Sequence, residues 1–233
     1  AALSAIKNAS LEICTGTALG RDFSLQDLQT RGYEAVLLAV GAQRDLKLGI
    51  RGEDLEGVYS GLSFLRRLNL GEPAELRDKV VAVVGGGNVA VDAARSATRL
   101  GAREVRIVYR RTKDEMPALP EEVEEAEREG IILDCLAAPV EILGEGGRVR
   151  GVNCRRMRLG DFDRTGRRTP IPIEGSEYLL PADVVVVAIG QTVDQTGLPE
   201  RLGLARSGNI EVDGETLGTA VPGVFAGGDC VTG

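Results

Sequence analysis

Val80-Val81-Ala82-Val83-Val84-Gly85-Gly86-Gly87-Asn88-Val89-Ala90 decides how this chain folds, and the rest reads outward from it. The first five residues are all apolar and four are valine, the composition of a short strand buried on both faces. Gly85, Gly87 and Ala90 then fall on the G-x-G-x-x-G/A spacing of a dinucleotide-binding turn. Each position meets a different requirement: a tight exit from the strand at Gly85, room for a pyrophosphate against the backbone at Gly87, and close helix-to-sheet packing at Ala90. The helix so opened carries Ala90, Ala93, Ala94 and Ala97 and is expected to stop at Gly101. Its first-turn N–H groups and positive dipole end face the turn, ready for an anion.

Such a turn alone is a weak signal, because glycine-rich turns also occur without a ligand. The context strengthens it: Glu104-Val105-Arg106-Ile107-Val108-Tyr109 predicts a second strand a few residues past the helix, completing a βαβ unit. The end of that strand distinguishes the dinucleotides. An NAD site places Asp or Glu there for the ribose hydroxyls, whereas an NADP site substitutes cations for the 2′-phosphate. This chain has Tyr109-Arg110-Arg111-Thr112-Lys113, and two adjacent guanidinium forks favour NADP(H) over NAD(H). A solvated basic loop is the plain alternative.

The 233 residues have an ordinary apolar fraction, enough for a sizeable core in one or two domains. A formal charge of −7 argues against nucleic acid as a partner. No long apolar span, signal sequence or lipidation motif is present, so no membrane partner is expected and the reading is a soluble, cytoplasmic protein. Cys14, Cys135, Cys154 and Cys230 are scattered with no C-x-x-C pair; they read as small buried residues rather than a redox dithiol or a local cluster-binding run. Histidine is absent, which removes Ser–His–Asp and Cys–His catalysis and the commonest metal ligand. No catalytic or metal-binding side chain is assigned, and any chemistry falls to a cofactor.

Upstream, Leu11 to Thr15 reads as a short strand, and Ser24 with Asp27 as a capping box opening a helix with Leu25 and Leu28 on one side, ended by Gly32. Tyr33 to Val40 predicts a strand stopping at Gly41-Ala42. A linker over Gly49 to Asp54 precedes Val58-Tyr59 and a helix from Gly61 to Leu70, broken by Gly71-Glu72-Pro73. Downstream, Met116-Pro117-Ala118-Leu119-Pro120 reads as a loop and Glu121 to Glu129 as an acidic, solvated helix face with Val123 and Ala126 turned inward. Ile131 to Cys135 is a third strand. From Pro139 to Tyr178 alternation broken by Gly144 to Gly147 and by Asp163 to Gly166 predicts an antiparallel meander. Val184 to Ile189 is a buried strand ending at Gly190-Gln191, and this repeats the A-x-G ending at Gly41, which suggests two related nucleotide-binding halves.

Three signatures in order carry a resemblance over essentially the whole chain: the A-x-G strand ends, G-G-G-N-V-A-x-D followed by V-Y-R-R-T-x-x-E-M-P-A, and the closing V-F-A-G-G-D. The chain resembles the NADPH- and FAD-dependent oxidoreductases typified by the small subunit of bacterial glutamate synthase, with similar domains in dihydropyrimidine dehydrogenase and ferredoxin:NADP oxidoreductase subunits. The resemblance implies an α/β, two-dinucleotide-binding (Rossmann-like) fold: a complete NADPH domain at 49–192, with parallel sheet and antiparallel meander, flanked by partial FAD-binding segments at 1–48 and 193–233. It implies hydride transfer between NADPH and FAD, then electrons to iron–sulfur centres or a larger partner subunit. By the same resemblance Gly85, Gly86, Gly87, Asn88 and Val89 hold the NADP(H) pyrophosphate and Arg110 and Arg111 the 2′-phosphate, with Gly190 and Gln191 near the nicotinamide. Gly41 approaches FAD, and Gly228 and Asp229 meet its pyrophosphate and ribityl chain. The family's own FAD fingerprint and cysteine-rich segment are missing, so the chain reads as an internal piece of a longer protein, inactive and without tight FAD binding when isolated. The alternative reading is a non-catalytic nucleotide-binding module that docks on a larger complex.

Overall fold

A computed structural model describes residues 11–163 and 166–233. In chain order the elements are α1 (Leu25–Thr30), β1 (Val36–Leu38), β2 (Arg44–Asp45), β3 (Val58–Ser60) and α2 (Gly61–Asn69). They continue with β4 (Val80–Val84), α3 (Asn88–Arg99), β5 (Glu104–Tyr109), α4 (Pro120–Arg128) and β6 (Ile132–Cys135). The rest are β7 (Ala137–Glu145), β8 (Arg148–Phe162), β9 (Arg168–Pro181), β10 (Val184–Val187), β11 (Gln191–Thr192), β12 (Val224–Ala226) and α5 (Asp229–Thr232). The chain divides into two compact units, one spanning Arg44–Gln191 and the other built from the residues on either side of it.

The larger unit is layered around a five-stranded parallel sheet of order β3-β10-β4-β5-β6. Successive residues of a strand point to opposite faces, and the central valines divide accordingly. Val81, Val83, Val184 and Val186 pack with Phe64 of α2, the alanines of α3, and Val123 and Ala126 of α4. Ala82, Val84, Val185 and Val187 pack on the other side against Ile142, Val149, Val152 and Leu180 of the antiparallel sheet β7-β8-β9. Val81, Val83, Val185 and Val186 are wholly buried, as a strand covered on both faces requires. The β7–β8 hairpin pairs Glu145 with Arg148, leaving Gly146 and Gly147, both at positive φ, as a two-residue turn of the hand that matches strand twist.

α3 lies close to the sheet because its inward residues are small: Ala90, Ala93, Ala94 and Ala97 are fully buried. It stops where the sequence indicates. The Gly101 N–H donates to the Thr98 carbonyl (3.0 Å) and the Ala102 N–H to the Ala97 carbonyl (3.2 Å), a Schellman ending around a left-handed Gly101. The acidic helix α4 buries Val123 and Ala126, and part of its outer charge is paired: Arg95 of α3 meets Glu125 at 2.8 Å and Glu129 at 2.7 Å.

The smaller unit pairs β1 with β12 in parallel, Val36 against Val224 through Leu38 against Ala226. Its core gathers Leu25, Leu38, Val193, Leu202, Ile210, Val221, Val224 and Cys230, whose thiol donates to the Gly227 carbonyl at 3.1 Å. The capping box at Ser24 and Asp27 is formed, with Leu25 buried. Three readings need correction here. The expected strand over Tyr33 to Val40 is confined to Val36–Leu38, because it has a partner only there and Leu37 is 65% exposed. Leu11 to Thr15 is irregular, with Leu11 and Ile13 exposed, since no described strand pairs with it. Cys14 is exposed rather than buried and Cys135 only half-buried; all four cysteines are free. In the expected turn from Asp163 to Gly166, Arg164 and Thr165 lie outside the described residues.

The alanine face sets a test. Ala94→Leu forces about 1–3 kcal/mol of overpacking between α3 and the sheet, read as a lower urea midpoint with unchanged slope. An unchanged midpoint would mean that the helix does not need this close approach.

Candidate functional site

The carboxyl ends of β4, β5 and β10 open onto one cavity of about 630 Å³. Val84 to Val89 line it from the turn after β4, Val108 to Arg111 from the end of β5, Ala137 to Pro139 from the start of β7, and Ala188 to Gln191 from beyond β10. Gly85, Gly86, Gly87, Asn88, Val89, Arg110, Arg111, Gly190 and Gln191 are thus brought to one wall system. Gly41, Gly228 and Asp229 belong to the smaller unit, where Gly41 follows β1 and Gly228 precedes α5 with Asp229 as its first residue.

The three turn glycines are not equivalent. Gly85 has φ +146, and a Cβ there would collide with the Ala188 carbonyl oxygen. At Gly86 a Cβ would stand 2.5 Å from two carbons of the Tyr109 ring. At Gly87 the nearest atom is Pro117 Cγ at 3.9 Å, so the backbone borders open cavity. Packing explains the first two; the third leaves space for a ligand. Gly87 is also the N-cap of α3 and offers no capping side chain, so no side chain satisfies the first-turn N–H groups.

The turn is clasped by the Met116 to Pro120 loop, which the sequence reading identifies as a loop without giving it a role at the site. The Ala118 N–H donates to the Gly86 carbonyl (3.1 Å), and the Leu119 N–H to Asn88 Oδ1 (3.1 Å). Met116 to Pro120 therefore fixes the turn's shape, and Asn88 spends its side-chain oxygen on this clasp. Tyr109 continues it, its hydroxyl donating to the Glu115 carbonyl at 2.7 Å.

The adjacent arginines differ. Arg111 is 4% exposed; its Nε donates to the Arg168 carbonyl (2.6 Å), its Nη2 lies 3.6 Å from Asp163 Oδ2, and its buried Nη1 has no hydrogen-bond partner among the described residues. Arg110 is exposed, and its pKa is lowered by burial of its inner portion first, and then by the like charges of Arg111 and Arg167, with Tyr109 and Asp163 opposing. Arg167, which the sequence reading missed, also lines the cavity. It arrives from the β8–β9 hairpin, 56 positions beyond Arg111, a separation that local motif reading does not span. Among the described residues no cluster of three His, Cys, Asp or Glu fit for a metal is present, and no helix is long and apolar enough to cross a membrane.

A parallel sheet with a glycine turn at its carboxyl edge, helices on one face and an antiparallel meander on the other defines an FAD/NAD(P)-type oxidoreductase domain. Residues 7–233 match the pyridine nucleotide-disulphide oxidoreductase family, and the chain belongs to it. Members of this family bind FAD and NAD(P)H. The NADP(+)-dependent formate dehydrogenase subunit beta of Moorella thermoacetica is 48% identical over 233 residues, 99% of this chain and 33% of that protein. The glutamate synthase [NADPH] small chain of Halomonas elongata is 38% identical over 237 residues, 96% of this chain and 50% of that one. The chain thus spans between a third and a half of the length of these relatives. A variant of FprA from Mycobacterium tuberculosis shares the fold, with a TM-score of 0.76 at 23% identity over 93% of this chain and 62% of that one.

The contrast between neighbouring glycines is testable. Gly86→Ala loses about 1–3 kcal/mol through the clash with Tyr109, whereas Gly87→Ala stays within about 1 kcal/mol of the parent. Thermal and urea unfolding of the two variants side by side measure this, and equal losses would refute the assignment of packing to one and ligand space to the other.

Proposed function

We propose that the larger unit binds NADP(H), that the smaller unit contributes to an FAD site, and that the protein passes hydride between them and electrons onward to iron–sulfur centres or a partner subunit. The observation that carries this is the arginine pair: Arg110 and Arg111 both line the cavity after β5, beside an open glycine backbone, and the buried Nη1 of Arg111 has no partner among the described residues. Leaving a buried N–H unmade costs about 1–3 kcal/mol, which an anionic oxygen seated there returns. Position argues for the 2′-phosphate, because Arg110 and Arg111 follow the second strand of the βαβ unit.

The residues present suit both groups. Gly87 leaves the approach that a pyrophosphate needs, and the uncapped start of α3 offers N–H donors and a positive dipole end. Gly190 and Gln191 also line the cavity and would border the reacting end. In the smaller unit a Cβ at Gly41, Gly227 or Gly228 would meet no atom within 4 Å, so the backbone is open to a flavin nucleotide. When bound, the two cofactors supply hydride and single-electron chemistry, so no side chain has to carry a proton, in keeping with a chain that lacks histidine. What the protein supplies is orientation and exclusion of water, through the Met116 to Pro120 clasp and the meander that cover the cavity's flanks. The two relatives are called a beta subunit and a small chain, which supports a partner subunit.

Calorimetric titration of the full protein with NADP+ and NAD+ in parallel tests the reading. NADP+ is expected to bind ~10-fold tighter or more, about 1.4 kcal/mol. Arg110→Ala should weaken NADP+ by about 1.5–3 kcal/mol, with NAD+ nearly unchanged, while Gly87→Val excludes both. Equal losses for the two nucleotides in Arg110→Ala would overturn the 2′-phosphate assignment.

A further inference from the structure

We propose that Arg167 is a third cation of the 2′-phosphate seat, carried in by the β8–β9 hairpin and held at the cavity by the Tyr109 hydroxyl; this rests on the NADP(H) reading above. Arg168 pairs with Phe162 at the far end of β8, and its carbonyl meets Arg111 just past β5. Two consecutive residues there act on the same corner. The Arg168 carbonyl accepts from Arg111 Nε at 2.6 Å, orienting the buried guanidinium. Arg167 places its own guanidinium on the cavity wall, with Nη2 donating to the Tyr109 hydroxyl at 3.0 Å.

Tyr109 makes this a defined position. Its hydroxyl proton is committed to the Glu115 carbonyl at 2.7 Å, which leaves an oxygen lone pair for Arg167. The ring is itself pinned against the Gly86 backbone, where a side chain has no room. Held through Nη2 in this way, Arg167 keeps Nε and Nη1 without a bond to any described residue. The residue is half-buried, so these donors are partly withdrawn from water and strengthened electrostatically.

The charge balance of the corner also calls for an anion. Arg110, Arg111 and Arg167 converge, and Asp163, on the same hairpin, is the carboxylate that reaches them, 3.6 Å from Arg111 and accepting the Arg167 backbone N–H at 3.1 Å. Among the described residues, three guanidinium groups facing one carboxylate leave positive charge uncompensated, and a phosphate dianion offers acceptors in the geometry a guanidinium fork fits. Arg110 and Arg111 lie on the βαβ unit and Arg167 on the meander, so the seat is closed from two layers of the fold.

Adenosine 2′,5′-bisphosphate and 5′-AMP, neither of which undergoes redox chemistry, are the probes, titrated calorimetrically against the full protein and its Arg167→Met and Arg167→Lys variants. Arg167→Met is expected to bind the bisphosphate ~10-fold more weakly, with 5′-AMP changed less than ~2-fold, and Arg167→Lys to recover part of the loss. If Arg167→Met folds poorly by thermal unfolding, Tyr109→Phe carries the test, since it removes the hydroxyl that holds Arg167 and should show the same selective loss to a smaller degree. An unchanged bisphosphate affinity in Arg167→Met, or equal losses for both probes, overturns the role of Arg167 while leaving the parent's preference for the bisphosphate intact. A parent protein that binds both probes equally overturns the NADP(H) reading itself.

Discussion

The approach of the Gly85 backbone to the Ala188 carbonyl is the constraint on which the rest of the larger unit depends. The Ala188 N–H donates to the Val84 carbonyl at 2.8 Å, extending the pairing of β10 with β4 one residue past the strand, and the Ala188 oxygen then occupies the place where any side chain at position 85 would begin. Only a residue without a Cβ permits this. Because it holds, the chain turns off the sheet edge at once and α3 starts directly above it, its alanine face against the valines of β4 and β10. The segments that line the cavity after β4, β5 and β10 leave parallel strands at the same edge, as expected where strand connections diverge to opposite sides of a sheet. Site and fold are therefore consequences of one close contact.

A second constraint is electrostatic. Withdrawing the Arg111 guanidinium from water carries a desolvation penalty that Asp163 at 3.6 Å and one backbone carbonyl offset only in part. An apolar residue at 111 would pack without that penalty, and the proposed 2′-phosphate contact is what would offset it. The corollary is linkage: a nucleotide that completes the bonds of this corner binds the folded state alone and raises its stability in proportion to the logarithm of its concentration.

What the sequence makes legible follows from the range of the forces involved. The βαβ unit around Gly85 is visible because strand burial, the turn glycines and the alanine face are all local, each set by neighbours within about a turn or a strand. The two-residue turn at Gly146-Gly147 is visible for the same reason. Leu11 to Thr15 and the ends of the Tyr33 to Val40 segment are not, because a β-prone composition needs a partner strand, and β1 has one over three residues only. The site divides the same way. Its glycines and the arginine pair stand next to a strand end, whereas the Met116 to Pro120 clasp and Arg167 reach it only through tertiary folding. The difference between a buried Arg111 and an exposed Arg110 was within reach of the rule that neighbours leaving a strand face opposite ways.

The antiparallel meander does two jobs with one surface. Its inner residues Ile142, Val149, Val152 and Leu180 cover the face of the parallel sheet that the helices leave open, and without such cover Ala82, Val84, Val185 and Val187 would be exposed. Its β8–β9 hairpin reaches the end of β5, where the Arg168 carbonyl orients Arg111. On the proposed NADP(H) reading, cofactor discrimination is coupled to sheet packing: a change that shifts the meander on the sheet moves the group that aligns Arg111, even though it touches no ligand. On that reading, discrimination between the two dinucleotides depends on the packed layers as well as on the residues after β5, and exchanging Arg110 and Arg111 for acidic residues would still leave Arg167 at the cavity.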